Sequence, residues 1–216
     1  MRTSTLVAKE NLLPVYYCRM RTVLSGAIAL TAATLILVAS ASAANPNPKQ
    51  MVLRLQDLPT GFQSAGHHYE SISAVAKGSR FTAAQYKAWG YVIGYEADFS
   101  QNGSLADLFS GATEITSTAS VYRTSAGAEK SLASSAKACS QSPSTELSVG
   151  VKIGNEVHLC SIVRKSKGVT VQVYGVMWRR GRVKAAVLLG GPKGSVSPKQ
   201  AVTLAKRQDG RIRQRL

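Results

Sequence analysis

The sequence predicts an α+β fold in which helices cover a single antiparallel β-sheet. Three observations support this prediction. Runs rich in aromatic and β-branched residues are joined by short turns, which is typical of consecutive antiparallel strands. Two longer segments carry helical signals, and apolar sheet faces need helices to bury them. We therefore expect one sheet of five or six strands, with two long helices and one short helix packed on it.

The strands are expected where extended structure is favoured. These runs are Tyr91–Phe99, Thr113–Tyr122, Val157–Arg164, Val169–Arg179 and Arg182–Leu189; Met51–Leu55 is a further short apolar run. Between them, His67–Glu70 and the following Ser/Ala/Gly stretch predict a loop, and Pro59 and Gly61 mark a turn.

The clearest hairpin joins the last two of these runs through Arg180-Gly181. A two-residue loop at that point places Trp178 opposite Val183. Both faces of the hairpin are largely apolar, so we expect it to be central and covered on two sides. Its basic tip is expected to project into water.

Helices are expected in three places. Ser125–Ala138 is Ala-rich, and Thr82 can cap a short helix that runs to Trp89. Ser197 followed by Pro198 is a favourable start for a final helix. Gly210 weakens that helix by about 1 kcal/mol relative to Ala, so its end is expected to fray.

Residues 1–43 predict a removable signal peptide. The run Val23–Ala39 has no charge, follows Arg19 and Arg21, and leads to the small residues Ala41-Ser42-Ala43. Met20 is a plausible alternative start. The competing interpretation is an uncleaved membrane anchor, because the run approaches the roughly 20 residues that span a bilayer. We expect residues 44–50 to form an extended leader and residues 51–216 a single domain.

The cysteines predict one disulfide in the exported chain. Cys18 is lost with the signal peptide, which leaves Cys139 and Cys160 as a pair in an oxidising compartment. The alternative is two free thiols, with one acting as a nucleophile beside His158.

The charge is unevenly distributed. The chain has a formal net charge of +16, and residues 161–216 hold 14 basic side chains and one acidic side chain, Asp209. Residues 44–160 balance, with nine of each sign. Such an excess predicts attraction to polyanions, here anionic envelope polymers or lipid headgroups rather than nucleic acid. The candidate anion-binding residues lie in the hairpin tip and the last helix: Arg179, Arg180, Arg182, Lys184, Arg207, Arg211 and Arg215.

Catalytic, metal and cofactor signatures are weak. Gly190–Ser195 lacks the spacing of a phosphate-binding loop, so no cofactor is predicted. His67, His68 and Glu70 suit a metal, but adjacent side chains of a strand point to opposite faces. Other minor candidates are the paired carboxylates Glu96 and Asp98 and the glycosylation sequon at Asn102.

Several short motifs carry a family resemblance. They are Asp57–Phe62, Val121-Tyr122 before the Ala-rich helix, Ile153–Glu156, Val176–Val183 around Arg180-Gly181, and Leu204-Ala205 to Arg211-Ile212. The layout resembles small secreted proteins and lipoproteins of actinobacteria. It also resembles, more loosely, the extracellular sensor domains of actinobacterial serine/threonine kinases and the PsbP-like α/β sandwich. Unlike many of these lipoproteins the chain has no lipobox cysteine, and it has one Cys pair where the kinase domains have more. The resemblance implies an extracytoplasmic α/β protein with a binding role and assigns no functional residue.

Together these observations predict a secreted, envelope-associated binding protein without catalysis. The alternative is a secreted enzyme, a hydrolase whose site residues are not identified. A third interpretation is a structural role through contacts at a sheet edge.

Overall fold

A computed structural model describes residues 46–101, 111–166 and 169–216. The predicted signal peptide and the sequon at Asn102 lie outside these ranges. The strands are β1 (Phe62–Glu70), β2 (Tyr91–Gln101), β3 (Glu114–Tyr122), β4 (Ser144–Leu147), β5 (Glu156–Ser166), β6 (Val169–Arg180) and β7 (Val183–Pro192). The α-helices of these ranges are α1 (Ile72–Lys77), α2 (Ala83–Ala88), α3 (Ser125–Cys139) and α4 (Pro198–Arg213). Short 3-10 turns occupy Pro48–Gln50 and Leu55–Asp57.

The strands form one antiparallel sheet in the order β1-β2-β3-β7-β6-β5-β4. The predicted architecture is wrong in its counts, because the sheet has seven strands instead of five or six. The described ranges also hold four α-helices instead of two long helices and one short one. Two of these four are long, with 15 and 16 residues.

The errors have identifiable causes. The His67–Glu70 segment belongs to β1, an edge strand whose side chains are mostly exposed and therefore lack the apolar alternation that marks a strand. β4 has only four residues. The polar stretch after β1 contains α1, whose start is fixed by Ser71 accepting a hydrogen bond from the Ala74 amide. Met51–Leu53 is a buried non-strand segment of the core.

The β6–β7 hairpin lies at the centre of the sheet, in a register that differs from the predicted one. Trp178 pairs with Ala185 rather than Val183, because Arg180 continues the strand and pairs with Val183. Gly181, with a φ of 54°, takes the left-handed conformation at the turn. The shift is two residues, so every side chain remains on its predicted face.

Helices α3 and α4 cover opposite faces of the sheet. On one face, the indole Nε1 of Trp178 donates to Asp209 in α4 at 3.1 Å. On the other face, the Nζ of Lys184 donates to Ser135 in α3 at 2.6 Å. Trp178 and Ala185 share one face, whereas Lys184 follows Val183 and therefore points to the other.

The α4 face holds the larger apolar core. Fully buried side chains of β3, β6 and β7 pack there against α4, with Trp178 and Ile212 both at 0% exposure. Gln208 is also fully buried, and its amide is satisfied by the Ser117 hydroxyl and the Thr118 carbonyl, each at 2.8 Å. These bonds fix the position of α4 along the sheet.

The α3 face has a smaller, aromatic core. Tyr86, Tyr91 and Tyr122 are buried there in edge-to-face contacts, with ring centroids 5.4 and 5.5 Å apart. α3 is attached to β5 by a disulfide between Cys139 and Cys160, whose Cα atoms are 5.4 Å apart. The predicted disulfide pairing is therefore present in the structure.

No α-helix in the described ranges combines the length and the apolar content needed to cross a bilayer.

Candidate anion-binding surface

The arginines of the hairpin tip are held by carboxylates of the same chain. Arg180 donates from Nε and a terminal nitrogen to the two oxygens of Asp209, at 2.8 and 2.6 Å. These hydrogen bonds raise the pKa of Arg180 above its ordinary value. Arg179 lies 3.4 Å from Glu129 of α3. The expectation that the tip projects into water is therefore wrong, because both arginines are mostly buried against helices.

Arg182 and Lys184, the other two hairpin candidates, are also partly buried. The Lys184 ammonium donates to Ser135 at 2.6 Å and lies 3.4 Å from the Ser131 hydroxyl. Burial lowers the pKa of Lys184 to about 8, and the Glu70 carboxylate opposes this shift. An ammonium enclosed by hydroxyls and an acidic neighbour presents little field to a bulk polyanion.

The three candidate arginines of the last helix, Arg207, Arg211 and Arg215, have different surroundings. Arg211 binds the Asp57 carboxylate at 2.7 and 3.2 Å. Arg207 is exposed and donates to the Asp57 backbone carbonyl, and within the described ranges it forms no ion pair with a carboxylate. Arg215 lies just beyond the helix end and is exposed.

A different row of cations faces solvent on α4. Lys199, Lys206 and Arg213 are exposed and seven residues apart, which places them on one side of the helix. None of the three is ion-paired with a carboxylate of the described residues. Sequence reasoning missed this row, although the helix start at Ser197 and the seven-residue spacing are visible in the sequence.

An apolar cavity of about 250 Å³ lies beside the first half of α4. Its apolar lining comes from four parts of the chain, and consists mainly of Pro59, Phe62, Ala112, Ile115, Leu189 and Leu204. Lys199, Thr203 and Arg207 also line it from the helix. The cavity therefore adjoins the exposed cations.

The two histidines considered for metal binding lie on opposite faces of the sheet. His67 stacks on Tyr95 on the α4 side of the sheet, whereas His68 points to the other side. Asp98 accepts a hydrogen bond from the Thr116 hydroxyl at 2.8 Å. Among the described residues no group of three or more metal-ligating side chains is placed to hold an ion.

The thiol-nucleophile alternative has no support in the structure, since Cys160 is in a disulfide. The two ring nitrogens of the neighbouring His158 are hydrogen-bonded to Glu146 at 2.9 Å and to Glu156 at 3.0 Å. Burial lowers the pKa of His158, but the two carboxylates more than reverse this, so its pKa lies above the ordinary value.

Comparison with known proteins gives one weak structural neighbour. No protein-family model matches the chain, and none of the curated proteins matches it. The extracellular domain of PknH from Mycobacterium tuberculosis is similar with a TM-score of 0.49 and 11% identity, over 79% of this chain and 98% of that domain. That neighbour is of the kind named by the resemblance to kinase sensor domains. A likeness at this level assigns neither a family nor a ligand to the chain.

Proposed function

We propose that this chain is an exported, non-catalytic protein that binds anionic polymers or lipid headgroups of the cell envelope through the outer face of α4. The observation that carries the proposal is the row Lys199, Lys206 and Arg213 on one exposed helix face, cations that form no ion pair with a carboxylate of the described residues. The Cys139–Cys160 disulfide supports export, because such bonds persist in oxidising compartments.

Ion pairing within the fold decides which basic residues support this proposal. Arg180 forms an ion pair with Asp209, and Arg211 forms one with Asp57. The positive charges of these two arginines are therefore largely neutralised within the protein. Arg207 and Arg215 are exposed at the sides of the row and can add to its field. The proposed surface therefore keeps part of the candidate set and adds three residues to it.

The size of the expected effect follows from the number of cations. Each Lys or Arg near an anionic membrane surface contributes about 1 kcal/mol, and the contribution falls off within a Debye length of about 10 Å at 0.1 M salt. Three cations on one helix face therefore contribute about 3 kcal/mol to binding, and this contribution falls as the salt concentration rises.

The hydrolase alternative has less support. The cavity beside α4 is lined by none of the groups that the alternative would use, namely Glu96, Asp98 and the histidines. The binding proposal needs no such groups.

The test compares two triple variants with the same change in charge. The first is K199Q/K206Q/R213Q. The control is K87Q/K130Q/K137Q, three exposed lysines of α2 and α3. Binding to vesicles of phosphatidylglycerol and phosphatidylcholine, and to soluble poly(glycerol phosphate), is measured by sedimentation at low salt and at about 0.5 M salt.

We expect the first variant to bind about 100-fold more weakly at low salt, since three contributions of about 1 kcal/mol are lost. The control should bind like the wild type, and the wild type should be released at high salt. Equal binding by the two variants would show that the α4 row is not the binding surface.

A further inference from the structure

The cavity beside α4 has two different kinds of wall. Its floor is built by Ile115 and Leu189, which face each other on the neighbouring strands β3 and β7, and Leu204 of α4 closes one side. Pro59 and Phe62 also line it. An apolar chain segment placed there would be removed from water without burying a polar side chain of these walls.

The helix side of the cavity carries two cations, Lys199 and Arg207. Lys199, Thr203 and Arg207 are four residues apart, so they follow one another along the helix over the cavity. All three side chains are exposed, and the two cations flank the Thr hydroxyl. The first turn of α4, the positive end of its dipole, lies at the same place, since Ser197 and Gln200 also line the cavity.

The walls are fixed before any ligand binds. Arg207 and Arg211 both hold Asp57, the first through its backbone carbonyl and the second through its carboxylate. These bonds tie the segment that leads to Pro59 to the middle of α4. A preformed cavity loses less conformational entropy on binding than one that must be assembled.

We propose that this cavity binds the chain of a single-chain anionic amphiphile, with its carboxylate head held by Lys199 and Arg207. The inference rests on the proposed function, since it assigns a ligand class to the same face of α4. A volume of about 250 Å³ is below the range of about 300–1,000 Å³ for drug-sized ligands, so it suits one slender chain rather than a whole two-chain lipid.

The probe is dodecanoate, below its micelle concentration, measured by isothermal titration calorimetry with the full exported chain. Dodecyltrimethylammonium has the same chain with the opposite head charge, and acetate has the head alone. We expect dodecanoate to bind about tenfold or more tightly than the cationic amphiphile, and acetate to give no heat.

Two variants fill the cavity from opposite sides. T203W does so from the exposed face of α4, and A112L from the wall before β3. T145W is the control, an exposed Thr on β4 at the far edge of the sheet. We expect both filling variants to weaken dodecanoate binding about tenfold or more and the control to leave it unchanged.

The two proposals fail in distinguishable ways. If dodecanoate does not bind, or binds T203W and A112L as tightly as the wild type, this inference is overturned, while loss of vesicle binding in K199Q/K206Q/R213Q still supports the proposed function. Dodecanoate binding that is sensitive to T203W, together with vesicle binding that is insensitive to the triple variant, would overturn the proposed function and retain the cavity. Equal affinity for the two dodecyl amphiphiles would show that Lys199 and Arg207 do not bind the carboxylate of the ligand.

Discussion

The two long helices cover opposite faces of one sheet and are attached in different ways. α4 lies on the larger apolar core and is fixed by buried polar bonds of Gln208 and Asp209. α3 is attached by the Cys139–Cys160 disulfide, by close packing at Gly127, and by hydroxyls around Lys184. The outward face of α4 carries the row Lys199, Lys206 and Arg213, so the helix on the larger apolar core is also the proposed binding element.

The difference shows how a strongly basic segment can fold. Asp209 is the one acidic residue of the last 56, and it is nearly buried where it accepts bonds from both Arg180 and Trp178. Its neighbours on the solvent side of α4 have no such partner. Burial therefore requires each inward arginine to be paired, whereas outward lysines can remain unpaired in water.

The largest effect is expected from D209A. The change leaves the guanidinium of Arg180 and the indole N–H of Trp178 without their acceptor, and loss of one partner from a buried pair destabilises by about 3–5 kcal/mol. Urea denaturation measures the free energy of unfolding. D209N, which keeps an oxygen acceptor but no charge, should lose less. A loss below about 1 kcal/mol for D209A would mean that this bond does not fix α4.

The same Gly-to-Ala change should act in opposite directions in the two helices. In α3, a methyl group at Gly127 would overlap the backbone carbonyl oxygen of Trp89, so G127A should destabilise by about 1–3 kcal/mol. In α4, nothing lies within 4 Å of the corresponding position at Gly210, so G210A should stabilise by up to about 1 kcal/mol through helix propensity. Thermal or urea unfolding of both variants checks the pair, and a shift of the same sign in both would contradict the packing difference.

A pH dependence of stability is expected on the α3 side. Because burial lowers the pKa of Lys184 to about 8 from 10.5, the unfolded chain binds more protons than the folded chain between these values. The stability of the wild type should therefore rise with pH across this window. K184M lacks the ammonium group. The difference in the free energy of unfolding between the wild type and K184M, measured by urea denaturation from about pH 8 to pH 10.5, should therefore increase with pH. Taking the difference cancels the contribution of the buried tyrosines Tyr91 and Tyr122, whose pKa values are raised in both proteins. A flat difference would show that the ammonium is hydrated.

Local signals predicted many of the individual elements. Thr82 and Ser197 begin α2 and α4, because a hydroxyl acceptor and a favourable first turn act within a few residues. β2 and the β6–β7 hairpin follow from aromatic and β-branched composition. β1 could not be predicted in the same way, since an edge strand with mostly exposed side chains has no apolar pattern to reveal it.

The candidate site was less predictable than the elements. Arg207, Arg211 and Arg215 recur every four residues, but α4 turns by 3.6 residues, so this row drifts around the helix. One of the three, Arg211, is ion-paired with Asp57. The spacing of seven at Lys199, Lys206 and Arg213 stays closer to one face, and it could have been recognised once the helix start was fixed.

By itself, the sequence determined the starts of α2 and α4, the cores of five of the strands, the pairing of two cysteines and the excess of positive charge near the C-terminus. Each of these depends on neighbours within a few residues or on composition. Only the tertiary structure decided which arginines are paired with carboxylates, because the partners are distant in the chain: Asp57 and Arg211 are 154 residues apart. It also decided that an apolar cavity opens beside those cations, since its walls come from β1, β3, β7 and α4 and meet only in the folded protein.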